Sequence, residues 1–156
     1  MDWNFAEFRW GFMPSCIEDV FQCDFTSFKL PEKQLRAEVH FEEALFDLDV
    51  ELTKNTYLNM LDTAQQDRVR RFLFSSMHFA YHTHASINIG LDAGQGCFLV
   101  FVRADVFSLS DRNMSFLNDA HQTATSIRIT GDDHNSNTIA CFHLDVFLPL
   151  PPEGEE

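Results

Sequence analysis

The chain is short of positive charge. Eleven lysines and arginines face 24 aspartates and glutamates, a net charge of −13. Phosphate backbones and anionic membrane surfaces are repelled by such a body, which argues against nucleic acid and membranes as partners. The four cysteines lack metal-motif spacing as well. Cys16, Cys23, Cys97 and Cys141 form no CxxC pair, so zinc-ribbon spacing is absent. Cys97 and Cys141 sit in apolar runs and read as small core residues, consistent with a reducing cytoplasm. No window approaches a membrane span, and the start, Met1-Asp2-Trp3-Asn4-Phe5, lacks the basic region and long apolar stretch of a secretory leader. The chain contains no GxSxG, P-loop, GxGxxG or HExxH, and no cysteine has a motif-placed histidine. The expectation is a protein without catalysis, cofactor or bound metal.

What is abundant is phenylalanine, 17 of 156 residues. That length suits one domain with a real core. So many rings exceed the needs of one small core, and the surplus points to exposed apolar patches. The acidic body keeps such a surface soluble and favours basic or weakly charged partners.

The first stretch reads as interrupted helix. Asn4 and Glu7 have capping-box spacing, Phe5, Phe8 and Phe12 share a face, and Gly11 and Pro14 break it. A second short turn starts at Ser15, with Ile17, Val20 and Phe21 inward. Strands are expected next. Phe25 to Leu30 ends at Pro31. Leu35, Ala37, Val39 and Phe41 alternate with polar residues, and after a phase change across Glu42–Leu45 so do Phe46, Leu48, Val50 and Leu52. The two runs read as hairpin partners, and Tyr57 to Leu61 as a further strand.

From Asp67 the period becomes helical: Val69, Phe72, Leu73, Ser76, Met77 and Ala80 make one broad stripe, with Phe74, His78 and Tyr81 on a second face. Ile87, Ile89 and Leu91 alternate into a glycine-containing turn, Asp92 to Gly96. Cys97 to Val102 is continuously apolar, the mark of a strand covered on both faces. Ser108 and Asp111 box the start of a last helix whose stripe is Phe116, Leu117, Ala120, Ala124 and Ile127. Gly131 to Asn137 reads as a polar loop, Phe142 to Leu148 as a possible extra strand, and Pro149 to Glu156 as an acidic tail.

Three segments carry a resemblance: SFKLPEKQLRAEVHF, ALFDLDVELTKNTYLNML and the helix–hairpin–helix from Gln66 to Ile129, together residues 27 to 129. Their order in a small acidic chain resembles a class I type III secretion chaperone of the CesT (Tir chaperone) family. The resemblance implies an α+β fold in which a twisted antiparallel sheet meets about three helices in the order α-β-β-β-α-β-β-α. Residues 1–130 would form that domain and 131–156 an extension. It implies a cytoplasmic bacterial homodimer that binds the N-terminal segment of one or more secreted effectors, keeps it extended without ATP and delivers it to the secretion apparatus. Client contact falls on Phe5, Phe8, Phe25, Phe28 and Leu30, and the dimer interface on Phe74, His78, Tyr81, Phe98 and Val100. The alternative is a non-export regulator on the same scaffold, of the YbjN-type sensory-transduction group.

One histidine set has metal-like spacing. His78 and His82 are a helical turn apart and His84 follows, but no acidic or cysteine partner stands at matching distance. They read as surface or interface histidines at a helix end, where the dipole favours them. Asp47, Asp49 and Glu51 read as a solvated face rather than acid–base machinery.

Overall fold

A computed structural model describes residues 17–28, 34–104, 111–132 and 137–146. The fold is α+β: five antiparallel strands and four helices among the described residues. In chain order these are β1 (Glu18–Asp24), a 3₁₀ turn (Thr26–Phe28), α1 (Gln34–Lys54), the single turn α2 (Thr56–Asn59), α3 (Thr63–His82), β2 (Ser86–Asp92), β3 (Cys97–Ala104), α4 (Asp111–Thr123), β4 (Ser126–Asp132) and β5 (Asn137–Asp145). The sheet runs β1-β2-β3-β5-β4. The class matches the expectation; the order of elements does not.

The largest difference is α1. Both runs expected as a hairpin, Leu35–Phe41 and Phe46–Leu52, belong to one 21-residue helix. Ala37, Phe41, Ala44, Leu48 and Leu52 are buried along one side, at helical spacing. Leu35, Val39 and Phe46 are exposed and lie on the opposite side, with half-buried Val50 continuing their line. Two apolar stripes on opposite sides of a helix interleave in sequence. They mimic a period of two, and the step at Ala44 supplies the apparent phase change.

Tyr57 to Leu61 is not a strand either. Asn55 caps α2, its Oδ1 accepting from the Leu58 amide at 2.8 Å, and Tyr57 and Leu58 are buried. Of the strand expected over Phe25 to Leu30, the part up to Phe28 does not extend: Asp24 Oδ1 accepts from the Thr26 amide and hydroxyl at 2.9 and 2.6 Å and bends the chain into the 3₁₀ turn, and Lys29 and Leu30 lie outside the described residues. Where a short helical turn starting at Ser15, with Ile17, Val20 and Phe21 inward, is expected, Glu18–Asp24 forms the edge strand β1. A register irregularity between Asp19 and Phe21 lets Val20, Phe21 and Cys23 all pack on the core, which hides the strand's alternation. The expected helix of Phe5, Phe8 and Phe12 lies outside the described residues.

Helix α3 follows its predicted stripe. Val69, Phe72, Leu73, Ser76, Met77 and Ala80 are fully buried, and the helix starts one turn earlier than expected, at the Asp62 cap. The buried Ser76 hydroxyl donates to the Phe72 carbonyl at 2.8 Å, so it costs no lost hydrogen bond. α3 touches β2, β3, α1 and α4. The face of the sheet beneath it carries Ile87, Ile89, Leu91, Phe98, Val100, Val102, Ala140, Phe142 and Leu144, aligned by register. The continuously apolar β3 is buried on both faces, as expected. Its other face supplies Cys97, Leu99 and Phe101, which cluster with Cys141 and Ile17.

Strand β5 contains the expected Phe142 and Leu144 but begins earlier, at Asn137, and ends at Asp145, and it is no appendage. It lies between β3 and β4, so the sheet runs straight across the expected boundary at residue 130. β4, which holds the Ile127 expected at the end of a helix, pairs with it throughout its length.

Candidate interaction surface

Among the described residues, the outer side of α1 carries three of the five exposed large apolar side chains; Met60 and Ile129 are the others. Leu35 is 74%, Val39 49% and Phe46 69% exposed. Most described phenylalanines are consumed by packing; Phe46 is the exception. Helical spacing places Leu35, Val39, Phe46 and Val50 in one line about four turns long. Glu38, Glu42, Glu43 and Asp49 flank that line, all exposed. A groove of about 430 Å³ opens along its first turns, lined by Leu35, Arg36, Val39, His40 and Glu43. The arrangement suits a segment with spaced apolar anchors and positive charges between them.

Beneath this helix is a cluster of rings. Phe41 stacks on Tyr81 at 4.2 Å and meets His78 edge-on at 5.0 Å. Phe25 is edge-on to His40, Phe41 and Tyr81 at 5.5, 5.8 and 5.5 Å. On the far side Phe116 of α4 stacks on His82 at 4.6 Å and on His78 at 5.1 Å. Burial pushes the His82 pKa down to about 4, helped by Arg112, His78 and His84. Burial and Arg112 lower that of His78, against a smaller pull from Asp119. Both rings are neutral at pH 7 and behave as aromatic packing. Cys23 Sγ lies 3.5 Å from His40 Nε2; burial raises its thiol to about 11, so it is no activated nucleophile.

A second groove, about 620 Å³, is lined by Asp67, Arg70, Arg71, Phe74, Ser75, His78 and Asp119. Arg70 pairs with Asp49, tying α3 to α1 at the surface.

The expected site residues scatter. Phe25 is fully buried in the core and cannot meet a client as a surface group. Phe5, Phe8 and Leu30 lie outside the described residues, as does the side chain of Phe28. Of the residues expected at a dimer interface, Phe98 and Val100 are completely enclosed by the chain's own core, because their strand is central and they point under α3. Phe74 and His78 line the second groove, and Tyr81 is half-buried against Phe41. His78, His82 and His84 do not converge as metal donors; stacking on Phe116 engages the first two. The exposed stripe of Leu35, Val39 and Phe46 was missed. Its signal was present, since a four-seven spacing persisted through the apparent strands.

Comparison with known proteins finds no matching family model and no significant match to a curated protein or a solved structure.

Proposed function

We propose that this chain is a polypeptide-binding protein without catalysis, and that the outer side of α1 receives an extended apolar segment carrying basic residues. The observation that carries the reading is the line of Leu35, Val39 and Phe46, exposed on a helix whose opposite side is fully packed. A helix at the surface normally turns polar residues outward; an uncompensated apolar line gains free energy when another chain covers it. Burying three such side chains contributes about 1.5–3 kcal/mol each before the cost of ordering the partner. An extended segment spreads that cost over a long contact.

In its specific form the reading is a bacterial cytoplasmic chaperone holding the N-terminal segment of a secreted effector, working as a homodimer. The helical nature of residues 34–54 removes the strand order that prompted this form, so its support is now the surface and the acidic charge. Phe74 and His78 remain accessible to a second copy. No helix of the described residues is long and apolar enough to cross a membrane, which is compatible with this setting.

The test is fluorescence anisotropy with two labelled unstructured peptides, one of leucine and lysine, one of leucine and glutamate. The leucine–lysine peptide is expected to bind, and Val39→Asp or Phe46→Asp to weaken it about tenfold or more with unchanged stability. Failure of that peptide to bind, or binding indifferent to both substitutions, refutes the surface. Native mass measurement after co-expression with a neighbouring secreted protein tests the chaperone form.

A further inference from the structure

On the sheet face away from the helices, register brings together three side chains that are far apart in sequence. Cys97 of β3 is directly opposite Asp145 of β5, and His143 lies two residues back on β5, on the same face. Their donor atoms all lie within 4.8 Å of one another, and His143 Nε2 donates to Asp145 Oδ1 at 2.9 Å. Among the described residues this is the one group of three metal-ligating side chains so placed. Cys97 and His143 are buried and Asp145 is partly so.

We propose that Cys97, His143 and Asp145 form a zinc site. This inference is independent of the polypeptide-binding reading. Sulfur and imidazole donors reject magnesium and calcium and favour zinc, which takes thiolate, imidazole and carboxylate in one tetrahedral shell. Zinc–ligand bonds are about 2.0–2.3 Å, so ligands on one ion sit roughly 3.3–3.8 Å apart. Donor atoms within 4.8 Å of one another need contract by no more than roughly 1–1.5 Å to reach that spacing. All three are mounted on paired central strands, which hold donors more firmly than loops do. Three protein donors leave one tetrahedral position for a further ligand.

Proton bookkeeping is simple. The ion takes the Cys97 sulfur as thiolate, releasing one proton to solvent. The proton that His143 holds on Nε2 moves to Nδ1 as Nε2 turns from Asp145 to the metal, and Asp145 binds as carboxylate. Enclosure of Cys97 argues against a nucleophilic role, because a substrate has no approach; an ion can be taken up as the chain folds.

The experiment uses the full chain without a tag, refolded with zinc or with cobalt. Expected results are about one zinc per chain and, with Co²⁺, a sulfur-to-cobalt charge-transfer band in the wild-type protein. Cys97→Ser is expected to abolish the band and cut zinc affinity beyond the roughly 10–100-fold that loss of an outer-shell partner costs. His143→Gln should weaken zinc comparably, while Cys23→Ser and Cys141→Ser leave stoichiometry and band unchanged. Substoichiometric zinc in the wild-type chain, absence of the thiolate band, or a band that survives Cys97→Ser overturns the assignment. Where Cys97→Ser fails to fold, the triple variant Cys16→Ser, Cys23→Ser, Cys141→Ser decides: a band that persists there assigns the thiolate to Cys97, and its loss overturns the assignment.

Discussion

Phe41 and Tyr81 lie ring on ring, centroids 4.2 Å apart and planes 5° from parallel, and so lock α1 to α3. Phe41→Ala removes this contact together with the edges it offers to Phe25 and His78. It should cost about 3 kcal/mol or more in chemical denaturation. Five residues along the same helix, Phe46→Ser should change stability by less than about 0.5 kcal/mol, because that ring touches water. Equal effects would contradict the two-sided reading of α1.

The β2–β3 turn offers a paired test. Gly96 has φ of 73°, and a Cβ there would stand 2.9 Å from the Val146 carbonyl oxygen and 3.2 Å from the Tyr57 hydroxyl. Gly96→Ala should destabilise by about 2 kcal/mol. At Gly94 the nearest atom, Asp92 Oδ1, would be 3.5 Å away, ordinary contact, so Gly94→Ala should be close to neutral. Thermal melts of the two variants give the comparison.

His82 makes stability depend on pH. Burial above all holds its folded pKa at about 4 against an ordinary 6.5, and Arg112 of α4, His78 of α3 and His84 add to the opposition to its charge. Between those values the unfolded chain binds a proton that the folded chain refuses. The contribution is complete above pH 6.5, declines as pH falls, and is gone below about 4. Its size is on the order of 2 kcal/mol, allowing for partial exposure. His82→Phe keeps the stack on Phe116 and removes the titration. The stability difference between variant and wild type should therefore grow from pH 7 to pH 4.

The Asp49–Arg70 pair joins α1 to α3 in full view of solvent, its side chains 53% and 28% exposed. Asp49→Asn should cost less than about 1 kcal/mol, and the loss should vanish in high salt. A larger, salt-insensitive loss would show that the pair holds α1 in place.

The legible parts of the sequence were those whose period had one physical source. α3 buries the stripe that the sequence showed from Val69 to Ala80, and in addition Phe79, which that stripe leaves out. The hairpin of β2 and β3 and the alternation of Phe142 and Leu144 were equally plain. α1 was misread because two apolar stripes superimpose, one for the core and one for water. β1 was hidden by the irregularity at Asp19–Phe21, and β4 because Ile127 also fits a helical continuation of α4. The juxtaposition of Cys97 with His143 and Asp145 could not be read locally. It depends on which strand lies beside β3, although the alternation Cys141, His143, Asp145 was visible on β5.

Strand β5 is synthesised after β4 yet sits between β4 and β3. A ribosome-held chain that has emerged only as far as Asp132 therefore carries β3 with a bare hydrogen-bonding edge and β4 with nothing to pair to. Both are hazards for aberrant association until the missing strand slots in. Shortening the chain before residue 137 therefore leaves β1, β2 and β3 paired and β4 without a neighbour, rather than a smaller complete domain.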